Sequence, residues 1–356
     1  MSGIDWTDVG LEVLKIIVIL LFMLNVTPIM VWVERRGSAL IQDRPGPNRV
    51  GPWGLFQSLA DALKFLMKED VIPTQANRWL YTLAPAFGLL PAMTTIAVVP
   101  WGRPFRLSSG RLFEPIIADV NVGILVIFAL ASLSVYGVTM AGWSSANKYS
   151  LFGAIRASAQ MISYELSLTL AAVSALMVAG SLRLTDVVWR QTGYFVLFDT
   201  VKIPAWNVFS PAMWLSFVIF SVSAFAETNR LPFDFAEAEA ELVAGYHTEY
   251  SSMKFALFFM AEYMSMATMS AVITTLFLGG WDVPWYNEPA TALGFAVSVL
   301  AFLIKVSFLL FVFVWVRWTI PRLKYDLLMK LGWKVFLPLA VVNIVLVAFF
   351  IVRGWI

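Results

Sequence analysis

The chain has 356 residues, of which 60% are hydrophobic and 13% charged, and its mean hydropathy is +0.77. That balance excludes a soluble domain and points to a single polytopic membrane domain over 1–356. The absence of cysteine excludes disulfides and all-thiolate iron–sulfur or zinc sites; one histidine excludes a bis-histidine haem; a net charge of +2 makes no case for nucleic acid.

A helix that crosses a bilayer needs about 20 mostly apolar residues. Eight stretches qualify: 12–33, 77–101, 120–142, 154–180, 209–227, 252–279, 292–318 and 333–353. The first is followed by VERRGSALIQDR and not by a small-residue cleavage site, which marks a retained span rather than a signal peptide. The loop after it, Glu34 to Asp70, holds four arginines (Arg35, Arg36, Arg44, Arg49) and a Pro/Gly core, RPGPNRVGP, that reads as a rigid turn. Beyond that turn Phe56, Leu59, Ala60, Leu63, Leu66 and Met67 share one helical face, with Gln57, Asp61, Lys64 and Lys68 on the other. The pattern predicts an amphipathic helix in the membrane surface, either as a plain anchor or as the rim of a place that admits an amphiphile.

Three ionisable residues fall inside spans: Glu165 in SYEL, Glu262 in AEYM and Lys305 in AFLIKVSF. Each costs about 2.5–3.5 kcal/mol near the bilayer centre. They are expected to face the bundle interior, as proton-exchanging groups or as an ion pair of Lys305 with Glu262 or Glu165. The fifth span is short, which implies that it ends inside protein. It runs into FAETNRLPFDFAEAEAELVAGYHTEY, with Glu227, Asp234, Glu237, Glu239, Glu241, Glu249, Arg230 and the sole histidine, His247. If Phe235–Ala244 is helical, Glu237 and Glu241 share a face. Carboxylates this close do not all ionise cheaply, although a solvated acidic loop is the bland alternative. The last polar segment, WVRWTIPRLKYDLLMKLGW, adds Arg317, Arg322 and Lys324 to a basic rim, which anchoring alone also explains.

Lysine and arginine favour one side of the chain by two to one. The richer loops, 34–76, 143–153, 228–251 and 319–332, are therefore expected in the cytoplasm. Loops 102–119, 181–208 and 280–291 and both termini are expected on the periplasmic side. The fold expected is an all-α integral membrane bundle of eight transmembrane helices with a cytoplasmic amphipathic helix.

The strings ERRGSALIQDRPGPNRVGPWG, ASAQMISYEL, AETNRLPFDFAEAEAELVAGYHTEYSS, FFMAEY and PRLKYDLLM occur in that order. Together they resemble one family of membrane subunits of respiratory complex I, known as the H subunit in bacteria and as NADH dehydrogenase subunit one in mitochondria. The resemblance implies a component of a proton-translocating NADH:quinone oxidoreductase in a bacterial inner membrane. It would hold no metal, haem, flavin or iron–sulfur cluster of its own, with ubiquinone or menaquinone as substrate. Its neighbours would be the peripheral quinone-site and iron–sulfur subunits, small and antiporter-like membrane subunits, and lipid. By motif, Arg35, Arg36, Arg44, Trp53, Phe56, Arg230 and Arg317 would line the quinone chamber. Glu165, Glu227, Asp234, Glu237, Glu239, Glu241 and Glu262, with Lys305 at a family lysine position, would relay protons or charge. The chain departs from the family at Leu327, where glutamine is usual, and at Lys324, where arginine is common. A stand-alone secondary transporter and the membrane anchor of an ion-pumping hydrogenase are the alternatives.

Overall fold

A computed structural model of the chain describes residues 6–106, 110, 112–197, 201–235, 243–286 and 289–354. The chain is helical for most of its length. Helix α1 (Trp6–Ile41) runs 36 residues, or about 54 Å. It overshoots the apolar stretch 12–33 at both ends and continues unbroken through Glu34, Arg35 and Arg36. The short helix α2 (Gln57–Met67) follows the Pro/Gly turn. Next come α3 (Arg78–Thr95), α4 (Gly123–Ser144) and α5 (Lys148–Ala179). Asn77 and Asn147 cap α3 and α5 by accepting from Leu80 N and Tyr149 N, and Gly180, at φ 69°, ends α5 in the left-handed conformation that glycine adopts without penalty. Helix α6 (Leu184–Gln191) is short. The remaining long helices are α7 (Pro211–Glu227), α8 (Ser252–Phe277) and α9 (Ala292–Thr319). The last span is composite: α10 (Tyr325–Lys330), a π-helical turn Leu331–Phe336, and α11 (Leu337–Val352).

Seven helical stretches among the described residues are long and apolar enough to cross a membrane; α7, the fifth expected span, has 17 residues and falls just below that length. In lipid there is little hydrophobic drive between helices, so close backbone approach matters more. Gly137 shows this on α4: a Cβ there would lie 2.8 Å from Gly88 N and 3.0 Å from Ala84 O of α3. The other main packings are α5 on α7, α3 on α8, α4 on α5, and α11 on α5. Helix α8 is the axle of the bundle, with 67% of its most apolar window buried, against 17% for the last span.

Two small hairpins depart from a purely helical reading. Phe105–Arg106 (β1) pairs with Leu112–Phe113 (β2), and Tyr194–Leu197 (β3) with Val201–Pro204 (β4), with Tyr194 opposite Pro204. Both lie in the loops expected on the periplasmic side, where irregular backbone does not meet lipid. There, too, Arg183 is paired with Asp119, and Thr185 Oγ1 donates to Asp119 Oδ1 at 2.9 Å. Burial pushes the Asp119 carboxyl up, but Arg183 and Thr185 outweigh it and hold it below the usual carboxylate value.

Helix α2 presents its faces in an unexpected sense. Ser58 Oγ donates to Pro28 O of α1 at 2.8 Å, and Asp61 Oδ2 lies 2.6 Å from Arg35 Nη1, so polar side chains look into the bundle. Leu59, Leu63, Leu66 and Met67 are exposed.

Candidate functional site

The ends of α1, α8 and α9 meet the loop after α7, and each contributes a charge. Two features shape that loop. The backbone turns back on itself, with Arg230 N donating to Phe225 O and Phe233 N to Arg230 O. Gln160 of α5, fully buried, then clamps both arms of the turn, its Nε2 donating to Ala226 O at 2.8 Å and to Phe233 O at 2.7 Å. The clamp fixes Arg230 in the interior.

Arg230 is 3% exposed and stands between two carboxylates. Its Nη1 is 3.1 Å from Glu34 Oε2. Its Nε is 2.5 Å from Glu262 Oε1 but off the line of the N–H, so that contact is an ion pair rather than a directed hydrogen bond. The guanidinium lies over the Tyr263 ring at 4.2 Å, and Tyr263 OH donates to Glu34 Oε2 at 2.8 Å. Glu34 Oε1 is 2.5 Å from Arg317 Nη1. Two guanidiniums and two carboxylates thus balance in a largely buried network. Burial disfavours the Arg230 charge, but Glu262, Tyr263 and Glu34 outweigh it and raise its pKa above the ordinary arginine value. A second pair, Arg322 Nη2 to Asp234 Oδ2 at 3.4 Å, ties the same loop to the segment after α9.

Next to this network is an interior cavity of about 70 Å³. Glu262 and Glu227 both line it, with Ser134, Thr228, Ser265 and Thr268. Its volume and polar lining suit ordered water. Glu227 is buried, and its Oε2 has no hydrogen-bond partner among the described residues. Glu165 is not among the lining residues; its Oε1 accepts from Ser132 Oγ of α4.

The structure brings some of the expected residues together and separates others. Arg230, Arg317 and Glu262 share the ion network, and Glu262 and Glu227 share the cavity. Arg35 is engaged with Asp61, and Arg36 fastens the Pro/Gly turn by donating to Trp53 O at 3.0 Å and Pro47 O at 3.3 Å. Arg44 Nε donates to Gln42 Oε1, and Trp53 and Phe56 are exposed on the outside of the turn. Lys305 lies at the far end of α8, where its ammonium donates to Leu278 O, Gly280 O and Asp282 O at 2.7–3.0 Å and sits 3.9 Å from the Trp206 ring centroid. It caps a helix C-terminus there. Glu237, Glu239 and Glu241 lie outside the described residues. The central missed residue is Glu34; its signal was a lone carboxylate before twin arginines at the end of a span. Tyr263 and Gln160 were missed as well, although each sits in a motif string.

The sequence profile of the NADH dehydrogenase family matches residues 14–348. The first of two NADH-quinone oxidoreductase H subunits of Geobacter metallireducens, numbered 1, is 48% identical over 98% of this chain and 97% of its own. The NADH-quinone oxidoreductase H subunit of Salinibacter ruber is 47% identical over 96% and 95%, and NADH-quinone oxidoreductase subunit 8 of Rhodothermus marinus is 48% identical over 92% and 93%. The chain belongs to the NADH dehydrogenase family and is similar over nearly its whole length to the H subunit of NADH-quinone oxidoreductase.

Proposed function

We propose that the chain forms part of a quinone chamber at the Glu34–Arg317 end of the bundle and links quinone reduction to proton translocation. In this reading α7 is the eighth span and the Arg- and Lys-rich loops are cytoplasmic. The membrane is a bacterial inner membrane, and the neighbours are peripheral iron–sulfur and antiporter-like subunits. The observation that carries it is Arg230, which bridges Glu34 to Glu262 beside a cavity that also holds Glu227.

The chemistry follows from charge balance. A quinone intermediate with anionic character near Arg317 draws that guanidinium away from Glu34. Glu34 then leans harder on Arg230, and the hold of Arg230 on Glu262 weakens. A carboxylate losing its counter-ion in a buried site takes up a proton, here from the cavity shared with Glu227. A two-unit shift in a carboxylate pKa is about 2.7 kcal/mol. Moving one charge against 100 mV costs about 2.3 kcal/mol, so a single such carboxylate is of the right size.

Glu262→Gln in the assembled complex tests this. Quinone-linked NADH oxidation is expected to fall while electron transfer to a soluble acceptor is retained. Unchanged quinone-linked turnover would count against the reading.

A further inference from the structure

A second cavity, of about 250 Å³, lies between α1, α8 and α9, away from the carboxylates. Ala267 and Ala271 of α8 lie among its walls, and the buried Met23 and Phe302 form its floor. Phe22, Ile29 and Phe311, all exposed, form its rim. Among the described residues, no charged one lines it. Along α1 it runs from Phe22 to Val33, about 16 Å. Spread over that length, its volume gives a cross-section of about 16 Å², against about 80 Å² for a helix 10 Å across. The groove is therefore too narrow for a partner helix and suits one extended hydrocarbon chain.

One end of the groove carries a polar mark. Trp101, 8% exposed, packs edge-on to Phe22 with ring centroids 5.1 Å apart, and its Nε1 has no hydrogen-bond partner among the described residues. Its backbone N donates to Pro115 O, which places the ring in the loops at the end of the bundle opposite Glu34 and Arg317. Tryptophan favours that depth because the indole N–H finds acceptors at the boundary between hydrocarbon and headgroups. An apolar void there is bathed in acyl chains, and a chain that enters it gains dispersion contacts without desolvating anything.

We infer that this groove holds one acyl chain of a glycerolipid from the leaflet opposite the ion network, with an ester carbonyl accepting from Trp101 Nε1. The inference rests on the chain spanning a bilayer and not on the quinone reading.

The test uses the assembled complex in membranes and two phosphatidylglycerol probes, one diester and one diether, each with a photoreactive diazirine midway along a chain. Adducts are expected on Met23 and Phe302, with the diester retained through delipidation about fivefold over the diether, the worth of one hydrogen bond. In Trp101→Phe, which keeps an aromatic ring on Phe22, the two probes are expected to be retained equally. Should that variant fail to assemble, Ala271→Leu, which narrows the groove, is expected to abolish the Met23 adduct. Adducts confined to outward residues such as Val18 and Leu21, equal retention of both probes in the unaltered complex, or displacement of the floor adducts by an isoprenoid quinone would each overturn the inference.

Discussion

Glu34 receives Arg230 from a loop, Arg317 from α9 and Tyr263 from α8, so one carboxylate joins three elements at the α1 end of the bundle. Buried ion pairs are a weak source of net stability, but breaking one is costly because the orphaned charge stays buried. Arg230→Ala strands both Glu34 and Glu262 and is expected to cost about 3–5 kcal/mol, read as a lower unfolding midpoint of the purified complex. Adding Glu262→Gln removes one of the stranded charges, so the double variant is expected to regain part of the loss. Strictly additive losses would mean that the two residues do not act on each other. None of this pairing was legible in the sequence. Glu34 and Arg230 are 196 positions apart, and nothing in either local string names the other. What the sequence did carry was the expense of Glu262 within a span, which called for a partner without identifying it. It carried the same expense for Lys305, whose partners prove to be backbone carbonyls and an indole face.

At the scale of elements, apolar length located the long helices, because hydrocarbon leaves the backbone no partner but its own. The ends moved for the same reason: α1 keeps its intrahelical bonds through Glu34–Ile41, so a polar flank does not stop it. Helix α2 shows the limit of periodicity. Spacing separated its two faces, but Arg35 and Pro28, which decide that the polar face turns inward, come from a different helix. The outer loops offer a pH test. Asp119 has its pKa depressed in the folded state. Its contribution is thus present above the unfolded value of about 3.9 and is lost as pH falls through the lower folded value. Amide exchange across α6 is expected to accelerate in that acid window, and Asp119→Asn is expected to remove the acid dependence; a variant that retained it would assign the effect to another group. The acidic loop after α7 is tested by substitution. Changing Glu237 or Glu239 to Gln together with Glu241→Gln is expected to depress quinone-linked turnover, with electron transfer to a soluble acceptor intact. A parallel fall in both activities would point to failed assembly.

Across the whole molecule the charges sort into separate places. The Glu34–Arg230–Glu262–Arg317 network lies at the α1 C-terminal end, the Glu227 cavity lies beside it, and Lys305 closes the opposite end of α8. An electrostatic disturbance at the first therefore reaches the second through a single guanidinium, whereas Lys305 stands apart from both. The most direct measurement is the number of protons translocated per quinone reduced, in proteoliposomes of the complex carrying Glu227→Gln. If Glu227 receives the charge change passed on by Arg230 and Glu262, protons per quinone fall while NADH oxidation by a soluble acceptor holds. An unaltered ratio, at an unaltered rate of quinone reduction, would contradict it.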